Sequence, residues 1–243
     1  MFGAMGPRAE SGELPDVGDR SSTCWTVIEA AAAGGAPARE EFAVRYAPLV
    51  RTYLLGRWRG RAMQSDLDDA VQDVFLDCFR EGGALGRVDS SRPGGFRAFL
   101  YGVVRNVARR FEERRAEARR RGGADPVVLE DVPEEGESPS EAFDRAWAMG
   151  LLREAADRHA ARGRRDGEEG WRRTEILRLR FREDLPLREI ARRWGMDPDR
   201  IHREYARARR EFEEILLEVV GFHTAGTPGE VRREAERLLG LLA

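Results

Sequence analysis

Residues 185–212 read LPLREIARRWGMDPDRIHREYARARREF, and the spacing of their apolar positions decides the fold class. Leu187 to Arg193 forms one short helical pattern with Ile190 and Ala191 on its inner side. Trp194-Gly195-Met196 then turns the chain. Asp197 suits the cap of a second helix, and Pro198 suits its first position, where a missing N–H has no helical partner. In that helix Ile201, Tyr205, Ala208 and Phe212 recur at steps of 4, 3 and 4, giving a single apolar stripe. At about 100° per residue, Arg200, Arg203, Arg207 and Arg210 gather on the other side. The pattern predicts a helix-turn-helix with one buried face and one face of guanidinium donors, a layout that suits a duplex major groove. A plain helical hairpin with solvated arginines is the alternative.

A second basic block lies upstream, GGFRAFLYGVVRNVARRFEERR over 94–115. Phe96, Phe99, Leu100, Val103, Val107 and Phe111 form its apolar stripe, while Tyr101, Arg105 and Arg109 fall opposite and Arg97 near the edge. An aromatic ring among arginines suits stacking on unpaired bases and neutralising phosphates. A charged, solvated face is the competing reading. Ahead of it, residues 65–80 carry Leu67, Ala70, Val71, Val74, Phe75, Cys78 and Phe79 at helical spacing. Asp66, Asp69, Asp73 and Asp77 share the outer face with Leu76, and Gln72 lies at its margin. Acids around an exposed leucine suit a basic protein partner. Solubilising acids are the alternative, and no histidine or cysteine joins them to suggest a metal.

Charge distribution sharpens what net charge hides. The 243 residues carry a formal net charge of only -2, with 35% charged residues and no lysine. Residues 92–121 hold ten arginines against three glutamates, and 125–144 hold eight acids and no base. Residues 172–210 hold thirteen arginines against seven acids. Phosphate contacts would therefore come from forked guanidinium groups. Two cysteines, Cys24 and Cys78, exclude a disulfide framework. The absence of a signal-peptide layout and of long apolar runs predicts a cytoplasmic chain without membrane insertion.

The organisation expected is all-α: two small helical domains joined by a flexible acidic linker. A disordered N-terminus covers 1–24, a first domain 25–118, the linker 119–140, a helix-turn-helix domain 141–215 and a tail 216–243. Within these, helices are expected over 25–33, 38–57 and 65–80, with Ser65 as a cap, and over 142–161, with Ser140 as a cap. Gly82-Gly83 ends the third helix, and the Arg87–Gly95 loop follows. Residues 162–170 read as a polar insertion loop, and 174–182 as the helix after it. Val231, Ala235, Leu238, Leu239 and Leu242 mark an amphipathic helix in the tail. His159, His202 and His223 read as scattered surface residues. No P-loop, G-x-S-x-G, zinc spacing or His–acid pairing is present, so no enzyme, cofactor or metal is expected.

In this order the three blocks resemble the extracytoplasmic-function group of bacterial sigma factors. The family's D-x-x-Q-D-x-F helix stands here as Asp69-Ala70-Val71-Gln72-Asp73-Val74-Phe75. Its next motif stands as Phe96-Arg97-Ala98-Phe99-Leu100 followed by Arg105-Asn106-Val107. The helix-turn-helix matches in Glu189-Ile190-Ala191, in Gly195 and in Arg207-Ala208-Arg209. The likeness spans about residues 25–215.

The resemblance implies a sigma2-like and a sigma4-like domain. It also implies binding of core RNA polymerase through Asp69, Gln72 and Asp73, with their neighbours Phe75 and Leu76. Melting and holding of the −10 element would fall to the Arg87–Gly95 loop and to Arg97, Tyr101, Arg105, Asn106 and Arg109. Reading of the −35 element would fall to Arg200, His202, Arg203, Arg207 and Arg210, with the acidic linker threading toward the polymerase channel. Glu204 and Tyr205 depart from the family's usual residues. Trp25, the 162–170 segment and the Pro228–Val231 tail are similar to a planctomycete-type group with such tails. The tail is expected to pack on the second domain or to modulate access to it, and an anti-sigma partner and the regulatory tail itself stand as alternatives. A helix-turn-helix regulator that does not support initiation is the competing function.

Overall fold

The helices of the core are laid down by apolar stripes of helical period. A computed structural model describes residues 24–60, 62–88, 95–121, 138–224 and 226–242. Residues 1–23, residues 89–94 of the Arg87–Gly95 loop and residues 122–137 of the acidic linker lie outside the described residues. The helices are α1 (Cys24–Ala32), α2 (Ala36–Arg57), α3 (Leu67–Phe79), α4 (Gly95–Arg121) and α5 (Pro139–Arg165). There follow α6 (Gly167–Arg182), α7 (Leu187–Trp194), α8 (Pro198–His223) and α9 (Pro228–Gly240). Among the described residues there is no strand. The expected all-α class holds.

The main core is built around aromatic rings from different helices. Phe42 of α2 is fully buried and lies 4.7 Å from Tyr46, 5.5 Å from Phe79 and 5.8 Å from Phe96, ring centre to ring centre. Burying each such side chain contributes roughly 1.5–3 kcal/mol. The same core continues through Phe143, Trp147 and Leu151 of α5, through Ile215, Val219 and Phe222 of α8, and through Ala235 and Leu238 of α9. A smaller cluster is separate: Ile176 and Leu179 of α6, Ile190 and Ala191 of α7, and Ile201 of α8. At the far end of α2, Trp58 Nε1 donates to Glu112 Oε1 at 3.0 Å. Arg57 donates to both oxygens of Glu112 at 2.7 and 2.9 Å, tying α2 to α4.

Several local expectations are corrected. Residues 162–170 are not an insertion loop, because α5 runs to Arg165 and α6 begins at Gly167. The glycines that read as a loop let two helices touch. A Cβ on Gly163 would lie 2.4 Å from Thr174 Oγ1 and 2.8 Å from Gly170 O, and one on Gly170 would lie 2.5 Å from Gly163 O. The cap of α5 is Ser138, not Ser140. Its Oγ accepts from Glu141 N, while Glu141 accepts from Ser138 N, a reciprocal box that places Pro139 at the first position. Ser65 does not cap α3; it sits in a 3-10 turn over Ala62–Asp66, and Asp66 precedes the helix without a side-chain cap bond. The second helix of the helix-turn-helix continues past residue 212 to His223, and its Ile215, Leu216, Val219, Val220 and Phe222 enter the main core.

Candidate nucleic-acid interface

The helix-turn-helix is set by its turn chemistry. Gly195 adopts φ +60, and its N–H bonds back to Arg192 O at 3.2 Å while Met196 N–H reaches Ala191 O at 3.0 Å. That left-handed position closes α7 and favours glycine. Asp197 Oδ1 accepts from Asp199 N at 3.3 Å and opens α8. Ile190 and Ile201 are fully buried between α7, α8 and α6. As a result Arg200, His202, Arg203, Arg207 and Arg210 are all exposed on α8. Arg207 is engaged by Glu211 at 3.1 Å; Arg200, Arg203 and Arg210 have no ion pair with a described residue.

Beneath this face lies an ionic cluster that sequence reasoning missed. Arg173 of α6 is 3% exposed and donates from Nε to Glu211 Oε2 at 2.9 Å. Its guanidinium also faces Glu204 at 3.9 Å and Asp166 at 3.5 Å. His159 of α5 sits 3.8 Å from the same Glu211 oxygen. Glu204, noted as a departure from the family pattern, points toward Arg173. The signal was available: Glu204 and Glu211 are seven apart and share the side of Ile201 and Ala208, where a carboxylate requires a buried cation. His159 and His223 are therefore not surface residues, although His202 is. Burial lowers the pKa of both buried rings, and that of His223 falls to about 3.

The α4 face is divided. Arg105, Asn106 and Arg109 are exposed, and Arg109 pairs with Glu113 one turn on. Arg97 and Tyr101 are not open in the same way. Arg97 pairs with Asp144 of α5 at 2.7 Å, and Tyr101 is half-buried with its ring 5.2 Å from Phe143 and 6.3 Å from Tyr53.

On α3, Asp69, Gln72 and Leu76 point outward, and Leu76 is 56% exposed. Phe75 instead lies against Phe42 and Phe79, on the edge of the core. Two further acids of α3 and Asp66 just before it face arginines of α4: Asp77 with Arg110 at 2.8 Å, Asp73 with Arg114 at 3.8 Å and Asp66 with Arg115 at 3.5 Å, while Asp68 meets Arg51 of α2. Leu76, Asp73, Asp77 and Arg110 rim a shallow groove that Arg39 and Phe79 complete.

Among the described residues no group of three or more His, Cys, Asp or Glu side chains is arranged to hold a metal ion. None of the described helices is long and apolar enough to cross a membrane. The chain matches no protein-family model and no curated protein.

Proposed function

We propose that this chain is a sigma factor of the extracytoplasmic-function type, acting in the bacterial cytoplasm. It binds core RNA polymerase and directs promoter recognition, DNA melting and initiation. The carrying observation is the helix-turn-helix unit, whose own small core and buried Arg173–Glu211 pair leave Arg200, His202, Arg203, Arg207 and Arg210 of α8 facing outward. Such a face suits duplex major groove, with arginine forks matched to guanine edges and to phosphates. What turns a DNA-binding reading into an initiation reading is the helix carrying Asp69, Gln72 and Leu76, an acidic and partly apolar surface fit for a basic protein partner. In this reading α4 supplies the single-strand contacts, and no metal or cofactor takes part.

One observation favours a second reading. Asp66, Asp73 and Asp77 already meet arginines of α4, so part of the acidic face has a structural use within the chain. A helix-turn-helix regulator that binds DNA without initiating would need no more than that.

The deciding experiment is reconstitution with bacterial core polymerase and promoter-specific run-off transcription. Initiation is expected, and the pair Asp69→Arg with Asp73→Arg is expected to abolish core binding while duplex binding persists. Stable duplex binding with no initiation on any genomic promoter would replace the sigma reading by the regulator.

A further inference from the structure

The outward line of α8 carries one residue of the wrong charge for a face that only grips a polyanion. Asp199, Arg203, Ala206 and Arg210 recur at steps of 4, 3 and 4 and are all exposed, so they form one stripe along the helix. The stripe lies opposite Ile201 and Ala208, which are fully buried. His202 and Arg209 border it on one side, Arg200 and Arg207 on the other. The arginines suit phosphate or guanine, and Ala206 is small enough to let the helix approach a groove floor. Asp199 is the exception, because a carboxylate repels phosphates.

Its use is not found inside the chain. The glutamates that follow in α8 as far as residue 214 each face an arginine. Glu204 and Glu211 face Arg173 at 3.9 and 2.9 Å, Glu213 meets Arg232 at 2.5 Å, and Glu214 meets Arg162 at 3.8 Å. Asp199 has no ion pair with a described residue, although Arg203 stands one turn on. The cap belongs to Asp197, whose Oδ1 accepts from the Asp199 N–H at 3.3 Å. What is left to Asp199 within the fold is the weak attraction that any acid in a first turn has for the helix dipole.

The first turn is also where a recognition helix meets base edges. In the major groove cytosine offers only its N4 amino donor, adenine sets its N6 donor beside the N7 acceptor, and guanine and thymine offer acceptors. An ionised carboxylate accepts and does not donate. It is therefore matched by cytosine, opposed by the N7 of adenine and repelled by guanine and thymine. Arg203, about 6 Å further along the axis or about two base-pair steps, has the opposite chemistry and matches guanine O6 and N7.

We infer that Asp199 is a base-reading residue that gives this chain a preference for cytosine at one position of its duplex site, beside a guanine taken by Arg203. The inference rests on the duplex-binding part of the function proposed above, which the sigma and regulator readings share. The bordering basic side chains hold phosphates and set affinity. The carboxylate sets specificity, since it rejects three bases more strongly than it attracts the fourth.

The test is selection from a pool of randomised duplexes by the full-length chain, alone and with bacterial core polymerase, followed by fluorescence anisotropy on the duplexes enriched. The parent chain is expected to favour cytosine at one position by about fivefold or more over each other base. Asp199→Ala is expected to lose that preference, to keep those at other positions and to bind every duplex more tightly, because one repulsive charge is gone. Asp199→Asn gives the sharper result. A carboxamide pairs with adenine N6 and N7, so the preference should move from cytosine to adenine at that position alone. Variants that bind every duplex more tightly with the parent's base preferences intact would leave Asp199 to the helix dipole. That result overturns the assignment while the DNA reading of α8 stands. A parent chain that enriches no sequence overturns the DNA reading and the assignment with it. The readout is base preference and not initiation, so a failed run-off assay removes the sigma reading without touching this one.

Discussion

Arg173 Nε lies 2.9 Å from Glu211 Oε2, and that buried pair fixes how α8 sits on α6. The arginine is 3% exposed, and Glu204 and Asp166 stand around it within 4 Å. A charge so enclosed is stable only with its partners in place. Removing it strands two glutamates against an apolar wall. Arg173→Ala is therefore expected to destabilise the chain by about 3–5 kcal/mol, read as a fall in the urea midpoint at unchanged slope. Exposed arginines such as Arg200 serve as controls and should cost less than about 0.5 kcal/mol.

Two helical glycines, Gly170 at the α5–α6 corner and Gly102 within α4, predict substitutions of opposite sign. At Gly170 a Cβ would stand 2.5 Å from Gly163 O and 3.0 Å from Gly163 Cα, both backbone atoms that cannot swing away. Gly170→Ala should cost about 1–3 kcal/mol through overpacking. At Gly102, inside α4, nothing lies within 4 Å of the added carbon. Gly102→Ala should stabilise by about 0.5–1 kcal/mol through helix propensity and the unfolded chain's lost freedom. Thermal midpoints by circular dichroism would show whether the two shifts have opposite signs.

Stability should fall on mild acidification because of His223. Its Nδ1 meets Tyr46 Oη at 3.2 Å, its ring lies against Trp147, and Cys24 donates to its carbonyl. Burial lowers its pKa first, with the positive charges of Arg45 and Arg158 adding to that, from an ordinary 6.5 to about 3. Between those values the unfolded chain binds the proton and the folded chain does not. Stability from this group is thus complete above about 6.5 and falls by up to about 1.4 kcal/mol per pH unit on descending toward 3. His159, also lowered, contributes in the same sense. In His223→Gln the slope of unfolding free energy between pH 6.5 and 4.5 should shrink by one histidine's share. An unchanged slope would show that this ring does not titrate on unfolding.

Much of this was legible in the sequence because helical period and turn chemistry are local. The stripe through Ile201 and Ala208, the turn at Gly195 and the cap at Asp197 stand where spacing put them. What was not legible depends on partners distant in sequence. Gly163 and Gly170 carry the composition of a loop, and only the opposing helix reveals that they allow close approach. His223 reads as an isolated polar residue until Tyr46, 177 positions away, is seen beside it. Tyr101 alternates with arginines as an open stacking ring would, yet Phe143 covers it from across the acidic segment.

Under the proposed function, the α8 face divides residues free to meet DNA from residues that hold the helix. Arg203 is exposed with no ion pair among the described residues, whereas Arg207 must leave Glu211 to reach a phosphate or base. Arg203→Ala should weaken duplex binding by about 1–3 kcal/mol if it forks onto a base, and should lower the salt slope by about one unit if it meets a phosphate. Arg207→Ala should cost less, since part of its interaction is already spent within the chain. Glu204 predicts a different signature. It faces Arg173 and not solvent, so Glu204→Ala should lower the unfolding midpoint while leaving the sequence preference of duplex binding unchanged. Fluorescence anisotropy on a panel of duplexes, run beside urea melts, tests all three. A Glu204→Ala chain with parental stability and altered base preference would move that carboxylate from the scaffold to the interface.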